Sequence, residues 1–480
     1  MAIFRIGDVN LDFQIVGAGL RQGILPPAEA AVDWHLGPRE MADLEAFESA
    51  GWRFRPQPEL DWSSVRRQND GKIEAGLLAR HPWGGLVVIR DRVVVNADDE
   101  IDPSFFETEH GETTSPGPNL YLIHLPLPDS NLLGTISNSL VLLQALDGGA
   151  GGIVAEPMLL YNLGVPGNVV SIDLDGQVQW QWNQIDLAAA WNTSGTLGKR
   201  LDTGDPIKVA IIDYGFHTKN LEIKDNILWT RHVNDLGKIT NPTIPQDQHG
   251  TFCAGLVGAL HNITGVNGAA PECKLILVAV ESTTSQLAVS TAIRLCAAGV
   301  DGTHKDGADV ICSSLGPPKQ SWDRAADLKK AIDDVQQTGR QTLGTSVVWA
   351  DFDVENAIKV DSLEDYDPII CVAQSDRGDN HVSSGYGRGV DLLAPGNGVW
   401  GLTPGGAGKY GYGFGCSYAA PCVAGVAALV LAVKPTLEWK QVADVLKSSC
   451  NPPKLSNGRN NFEGSGRLNA LEAVKAAAMK

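Results

Sequence analysis

Apolar and polar positions alternate in a regular way from residue 207 onward. Short runs rich in β-branched residues predict strands at 208–212, 275–280, 309–312, 346–349 and 368–372. Ala-rich runs between them predict helices at 251–260, 286–298 and 325–338. Short apolar strands separated by helices are typical of a parallel sheet with helices on both faces. We therefore predict one α/β domain over residues 181–480.

The first 180 residues follow a different pattern. Their apolar runs predict a long strand or strand pair at 86–95, a strand at 120–125, a helix at 137–146 and a strand from 153. These elements indicate a small α+β domain over residues 85–163. A helix at 38–49 is the one element predicted before it, so residues 1–84 are an N-terminal extension of unknown role. Residues 164–180, which contain the turn-forming sequence GVPGN, are interpreted as a linker or processing region.

Composition and charge narrow the class of protein. The 480 residues are 43% hydrophobic and carry a formal net charge of −18, which opposes binding to nucleic acid or to an anionic membrane. The apolar run at 419–433 is shorter than the ~20 residues that cross a bilayer, so we expect a buried helix there. Asp8, Asp12 and Gln14 interrupt the N-terminus where a secretory signal needs an apolar core. With no export signal visible, a cytoplasmic location is expected, and the eight cysteines are interpreted as reduced core thiols.

Three short segments carry residues suited to nucleophilic catalysis. Asp213 ends a predicted buried strand, where α/β sheets collect ligands and catalytic groups, although an Asp there more often caps the next helix. His249 stands beside Gly250 at the start of a predicted helix. Ser417 begins the apolar helix, in the positive field of its N-terminus, where an ordinary helix cap is an equal alternative.

Taken together, the segments have the order Asp, His, Ser, and the chain strongly resembles the subtilisin-like serine peptidases. Further motifs of that family occur in its order: AAPECKL at 269–275, GADVICSSLG at 307–316, SSGYG at 383–387, VDLLAPG at 390–396 and GSGRLNA at 464–470. Upstream, residues 85–163 resemble the family's inhibitory propeptide and contain AEPM at 155–158, where AEPN is usual.

The resemblance implies a serine endopeptidase made as a propeptide-controlled zymogen. Ser417 would be the nucleophile, His249 the base and Asp213 the group that orients the base. Ser314, Leu315 and Gly316 would pair with the backbone of a peptide or protein substrate. The second expected partner is the chain's own propeptide-like domain. Neither a nucleic acid nor a membrane is expected as a partner, and self-cleavage is expected between residues 163 and 181.

The expected oxyanion hole departs from the family pattern. Its Asn amide usually stabilises the developing negative charge, whereas the kexin-like spacing of this chain puts Asp353 at that position. A shifted loop would instead bring Asp351 or Asn356. The segment PPKQ at 317–320 lacks the acidic residues of kexin-like enzymes that cut after basic pairs, which argues against that specificity.

Two questions stay open at this point. The alternative function is a catalytically impaired pseudoenzyme that binds peptides or acts as a scaffold, because Asp353 has disabled the oxyanion hole. Calcium binding is common in the family, but the acidic residues at 361–367 are equally well explained as a solvated loop. We therefore assign no metal site, and calcium remains a cofactor suggested by the resemblance alone.

Overall fold

A computed structural model was used to describe the protein. It describes the following residues: 2–6, 9–21, 36, 38–50, 52–56, 74–82, 86–97, 101–103, 106, 112–117, 119–125, 131–150, 153–162, 170–171, 179–240, 245, 247–262, 265–403, 410–453 and 460–480. Most of the predicted processing region, including residues 163–169 and 172–178, lies outside them.

Within the part of the chain that the structure describes, the N-terminal region forms an antiparallel sheet and helices. Its strands are β1 (Ala2–Ile6), β2 (Val9–Arg21), β3 (Trp52–Pro56), β4 (Glu74–Arg80), β5 (Leu86–Asn96), β6 (Glu112–Gly117), β7 (Leu120–His124) and β8 (Val154–Asn162). Its helices are α1 (Pro38–Ser49) and α2 (Leu132–Ala150). The strand order is β1-β2-β4-β5-β7-β6, with β3 on β2 and β8 on β5. The domain boundary predicted at residue 84 separates β4 from β5, and the structure joins these two strands as hydrogen-bonded neighbours.

The C-terminal region contains the predicted parallel sheet. Its strands are β10 (Lys208–Asp213), β11 (Ile227–Val233), β12 (Ile239–Thr240), β13 (Lys274–Val280), β15 (Val310–Ser313), β16 (Ser346–Ala350), β17 (Ile370–Ser375) and β18 (Leu392–Pro395). They lie in the order β12-β11-β13-β10-β15-β16-β17-β18, and all pairs are parallel except β11 with β12. Smaller strands are β9 (Val170–Ser171), β14 (Thr283–Ser285), β19 (Asn397–Leu402) and β20 (Tyr410–Phe414). The fold-class prediction is confirmed for this region.

Helices cover both faces of the parallel sheet. They are α3 (Trp180–Gln184), α4 (Leu187–Ser194), α5 (Gln248–Gly258), α6 (Gln286–Ala298), α7 (Ala326–Thr338), α8 (Cys416–Val433), α9 (Trp439–Ser448) and α10 (Ala470–Ala478). Alternate side chains of β10 point to opposite faces, as in any strand. Val209 and Ile211 pack in the core with α5 and α8, whereas Ala210 and Ile212 pack in the core with α6 and α7.

The apolar helix α8 runs through the centre of the domain. It is long and apolar enough to cross a membrane by length and composition, yet 94% of it is buried inside the protein, as expected for a core helix. All eight cysteines lie in the part of the chain that is described; each is free, and every one except Cys450 is buried.

The N-terminal sheet packs against α6 and α7 and shares a continuous core with them. At its edge, β8 also pairs with β14 of the C-terminal region. The Glu156 carboxylate accepts the Ala326 N–H at 2.8 Å, so an acidic side chain of one region caps a helix of the other. The fully buried Arg90 guanidinium donates to Asp235 at 2.8 Å and pairs with Glu74 at 2.7 Å. The two regions are therefore joined by apolar, backbone and ionic contacts.

Candidate active site

Asp213 and His249 form a buried pair at the carboxyl edge of the parallel sheet. Asp213 is the last residue of β10, and its Oδ1 accepts the N–H of Tyr214 at 2.8 Å. The Nδ1 atom of His249 lies 2.8 Å from Oδ1 and 3.0 Å from Oδ2 of this carboxylate. Since a carboxylate accepts hydrogen bonds, Nδ1 carries the proton, which leaves Nε2 as the basic atom of the neutral ring.

The start of α5 holds His249 in place. The Asp247 side chain caps this helix by accepting the His249 N–H at 2.7 Å. A Cβ atom at Gly250 would lie 2.9 Å from the Asp213 Cβ and 2.2 Å from the Gly215 carbonyl oxygen. Only glycine therefore allows α5 to approach β10 so closely.

Ser417 lies at the start of α8, close to His249. The imidazole ring packs against Tyr418, with ring centroids 5.5 Å apart. The Ser417 Oγ–H donates to the Ser314 carbonyl oxygen at 3.4 Å, and His249 Nε2 is buried without a hydrogen-bond partner among the described residues. The structure thus brings the predicted Asp213, His249 and Ser417 together, with the hydroxyl turned toward the segment that follows β15.

The Ser417 carbonyl oxygen is fixed by two side chains. It accepts the Ser314 hydroxyl at 2.8 Å and the Cys253 thiol at 3.3 Å. Cys253 was not singled out from the sequence, although it stands one helical turn after His249 and therefore on the same face of α5. These contacts hold the first turn of α8 against both α5 and β15.

The charges around His249 favour its protonated form. Burial lowers the pKa of the imidazole, but the charge and hydrogen bond of Asp213, together with Asp247 and Asp353, raise it above its ordinary value. A base with a raised pKa is neutral only at higher pH. Proton acceptance by this ring is therefore favoured by alkali and opposed by acid.

Asp353 lies on the other side of Ser417. Its Oδ1 accepts the N–H of Cys416 at 2.7 Å, and a Cβ atom at Gly415, where φ is 150°, would lie 3.1 Å from Oδ2. Burial raises the pKa of Asp353 to about 6, although the hydrogen bonds from Cys416 and the nearby His249 oppose this change. The protonated carboxyl would carry its hydrogen on the oxygen that Cys416 does not occupy.

The other two candidates for the oxyanion hole lie elsewhere. Asn356 is exposed, and its side chain donates to the Lys319 carbonyl oxygen at 3.4 Å. Asp351 is buried, and its Oδ1 accepts the Phe352 N–H at 2.8 Å. Among the three residues, Asp353 alone contacts the turn that leads into Ser417.

A cleft beside Ser417 contains the predicted substrate segment. It is lined by Ser314, Leu315 and Gly316 on one wall and by residues 350–353 on the other. Glu364 also lines this cleft but was not predicted, because nothing in its local sequence distinguishes it from the surrounding acidic loop. Only the folded chain brings it to the site.

Comparison with known proteins identifies the class of protein. Residues 204–466 match the model of the subtilase family, and this segment is more than half of the chain. The chain belongs to the subtilase family, as the sequence motifs predicted.

Several relatives and one solved structure are similar to this chain. A calcium-dependent protease of Nostoc sp. (strain PCC 7120) is 31% identical over 338 residues, which are 61% of this chain and 48% of that protein. Subtilisin BL of Lederbergia lenta is 31% identical over 304 residues, 62% of this chain and 99% of the subtilisin. A protease structure from Pseudoalteromonas arctica PAMC 21717 has a TM-score of 0.51 and 25% identity, and the match covers 63% of this chain and 98% of that structure. The chain spans about half the length of the calcium-dependent proteases it matches.

Among the described residues, the Asp, Glu, His and Cys side chains form no cluster suited to calcium. Within them, one group of three acidic, His or Cys ligands occurs, formed by Asp213, His249 and Cys253. Its nitrogen and sulfur donors differ from the shell of six to eight oxygens that calcium prefers. In the acidic loop, the Asp365 carboxylate already accepts hydrogen bonds from Nε and Nη2 of Arg388. No step of the mechanism below involves a metal ion.

Proposed function

We propose that this chain is a serine endopeptidase that hydrolyses peptide bonds through Ser417, His249 and Asp213. The observation that carries the proposal is the buried His249 ring, whose Nδ1 is held by Asp213 while its Nε2 has no partner within the described structure. A buried base held in one tautomer beside a serine at a helix start has the components that nucleophilic acyl transfer requires.

The first half of the reaction forms an acyl-enzyme. The Ser417 hydroxyl leaves the Ser314 carbonyl and passes its proton to His249 Nε2 while Oγ bonds to the substrate carbonyl carbon. Asp213 stabilises the resulting imidazolium. When the tetrahedral intermediate collapses, Nε2 returns the proton to the leaving amine and the C–N bond breaks. In the second half, water takes the place of the amine: its oxygen bonds to the acyl carbon while Nε2 removes its proton. Nε2 then returns this proton to Ser417 Oγ as the bond between Oγ and the acyl carbon breaks and the acid product leaves.

The negative charge on the tetrahedral oxygen requires hydrogen-bond donors. The Ser417 N–H lies in the first turn of α8, where N–H groups have no carbonyl partner within the helix, and it is one such donor. Protonated Asp353 supplies a second donor through the carboxyl oxygen that does not accept the Cys416 N–H. Ionised Asp353 would repel the oxyanion in a partly desolvated site. Activity therefore depends on the proton of Asp353.

The N-terminal region acts as an inhibitory propeptide in this proposal. Support comes from the pairing of β8 with β14 and from the capping of α7 by Glu156, which together hold this region on the peptidase domain. The segment after β8 leads toward the first peptidase residues, and cleavage within 163–181 would separate the two regions. A cytoplasmic location remains part of the proposal.

A fluorophosphonate probe tests the peptidase directly. The starting protein is the full chain with a recognition sequence for an unrelated protease in place of residues 164–169, so that the N-terminal region can be cut from the peptidase domain. After this cut, the probe should label Ser417, and labelling should be lost in Ser417→Ala, together with about 10⁶-fold of kcat, the loss that this change causes in subtilisin. An unlabelled Ser417 in the cut, folded protein would favour the pseudoenzyme that the sequence left as an alternative.

Intact-mass measurements test the zymogen. The natural full chain should shorten by cleavage between 163 and 181, whereas Ser417→Ala should remain at full length.

Glu156→Ala removes the carboxylate that caps α7. A lost cap costs about 1 kcal/mol, which corresponds to inhibition roughly fivefold weaker. Peptide hydrolysis that is indifferent to excess N-terminal region would contradict inhibition while leaving the peptidase intact.

A further inference from the structure

The cleft beside Ser417 lies between the ends of two neighbouring strands. One wall, residues 314–318, follows β15, and the other, residues 350–353, follows β16, which pairs with β15 in parallel. The Asp353 N–H donates to the Pro318 carbonyl at 3.0 Å and ties the walls together. Because Ser417 also lines this cleft, a side chain that enters it belongs to a residue close to the scissile bond.

Two buried acidic side chains line this cleft in addition to Asp353. Asp351 is 5% exposed and Glu364 is 3% exposed. The Asp351 Oδ2 atom is buried and has no hydrogen-bond partner among the described residues, and the Glu364 carboxylate accepts the backbone N–H of Trp322 at 3.1 Å. Within the described residues, no Lys or Arg forms an ion pair with either carboxyl. Buried carboxyls are normally either paired with a cation or protonated, so each of these acids can still accept a cationic partner.

Because no cation pairs with them within the described structure, burial raises the pKa of both groups. Burial and then the charge of Glu364 raise the pKa of Asp351 well above its ordinary value. Burial raises the pKa of Glu364 to about 7. A cation that enters the cleft would reverse these shifts, since an opposite charge favours the ionised form of a carboxyl.

We propose that this cleft binds the side chain of a lysine or arginine that immediately precedes the scissile bond, with Asp351 and Glu364 as the residues that determine this specificity. The inference rests on the proposed peptidase function. Leu315 and Phe352 line the same cleft and supply apolar contact for the methylene stem, while the charged end reaches the acids. Recognition extends to a single basic residue and not to a basic pair, in agreement with the absence of acids from residues 317–320.

Binding of a basic side chain is compatible with a protonated Asp353. The charge of Asp353 is one of the causes that raise the pKa of Asp351, so the carboxyls in this cleft oppose one another's ionisation. An ammonium or guanidinium group that pairs with ionised Asp351 or Glu364 forms a neutral unit. The proton of Asp353 then remains available for the oxyanion.

The test compares the rates at which three phosphonate probes label Ser417 in the cut protein described above. Two are peptidyl diphenyl phosphonates that are identical except for an arginine-like or a norleucine-like side chain next to phosphorus. The third is a simple fluorophosphonate without a side chain. We expect the arginine-like probe to label about 100-fold faster than the norleucine-like probe, because it alone pairs with buried charge.

Substitutions of Glu364 and Asp351 test whether these residues cause the preference for the arginine-like probe. Glu364→Gln and Asp351→Asn should each lower the ratio of the two peptidyl rates by about tenfold while the fluorophosphonate rate stays within about twofold. Asp367→Asn is the matched control, since it makes the same charge change in the exposed part of the same loop and should keep the ratio.

The outcomes separate this inference from the proposed function. A ratio near one, or a ratio preserved in both acid variants, with Ser417 still labelled by the fluorophosphonate, would overturn the inference and leave the peptidase intact. Failure of all three probes would overturn the peptidase itself. Collapse of the ratio on addition of calcium would assign the acids to a metal ion and would also overturn the inference.

Discussion

The two sides of Ser417 differ in how their charges are compensated. On one side, Asp213 faces His249, so a carboxylate is paired with a group that becomes positive during the reaction. On the other side, Asp353 faces the turn before Ser417, and its partner is a neutral backbone N–H. In the proposed mechanism, Asp213 stabilises the positive charge that develops on His249. Asp353 must instead lose its own negative charge before it can stabilise the oxyanion.

This difference places opposite pH requirements on one reaction. The base must be neutral, and the pKa of His249 is raised above its ordinary value, so the active form of this side appears as pH rises. In the proposed mechanism Asp353 must be protonated, and with a pKa of about 6 this form disappears as pH rises. The active and the inactive enzyme near neutrality thus differ mainly in whether a proton resides on Asp353 or on His249.

The largest expected effect comes from the His249 side. Asp213→Asn keeps the size of the side chain, but its amide can donate to Nδ1 and select the wrong tautomer of the ring. We expect kcat to fall by about 10⁴, the loss known for the equivalent change in a Ser-His-Asp triad. Hydrolysis of a fluorogenic peptide measures it, with circular dichroism as the control for folding. A loss below tenfold would show that Asp213 does not orient the base.

On the Asp353 side, the substitution Asp353→Asn should increase kcat. In Asp353→Asn, the amide oxygen can accept the Cys416 N–H while the NH₂ group replaces the carboxyl oxygen and donates without a bound proton. We expect kcat at pH 8 to rise roughly tenfold or more, on the scale of one oxyanion-hole donor. Asp353→Ala, which offers neither donor nor acceptor, should not show the gain. If Asn is equal or slower at every pH, Asp353 is not at the oxyanion hole, and Asp351 becomes the residue to test.

The smallest expected effect concerns Asp247, which belongs to the His249 side without facing the nucleophile. Its charge is one of the causes that raise the pKa of His249, so Asp247→Asn should lower that pKa and raise kcat/KM on the acidic side of the profile. The amide retains the helix cap, whereas Asp247→Ala should also lower the free energy of unfolding by about 1 kcal/mol. Equal stability of the two variants in denaturant titrations would argue against the cap.

The sequence predicted the peptidase region well because its elements carry local signals. The helix at 286–298 was predicted with its observed bounds, and the catalytic candidates stand at strand ends and helix starts that the apolar pattern locates. The strand at 86–95 was also found, but Arg90 in its middle looked like an interruption. It is fully buried because Asp235 and Glu74, distant in sequence, neutralise it.

The acidic residues near Ser417 also show that contacts between distant segments cannot be predicted from the local sequence pattern. The spacing placed Asp353 at the oxyanion position, yet left Asp351 and Asn356 as alternatives, because only the folded loop shows which of them contacts the turn before Ser417. Glu364 lies in a run of acidic residues that looks like a solvated loop. Its burial depends on packing between the ends of β15 and β16, and no periodic pattern encodes that contact.

In the proposed mechanism, the two sides of Ser417 require opposite protonation: His249 must be neutral and Asp353 must be protonated. Measuring kcat/KM of the cut protein from pH 4 to 10 tests this requirement directly. The account predicts a narrow bell whose maximum lies between about 6 and the raised pKa of His249, with activity falling on the alkaline side as Asp353 ionises. In Asp353→Asn the alkaline fall should vanish, and activity should rise to a plateau as His249 loses its proton. A wild-type profile that rises to a plateau and stays there at alkaline pH would contradict the account.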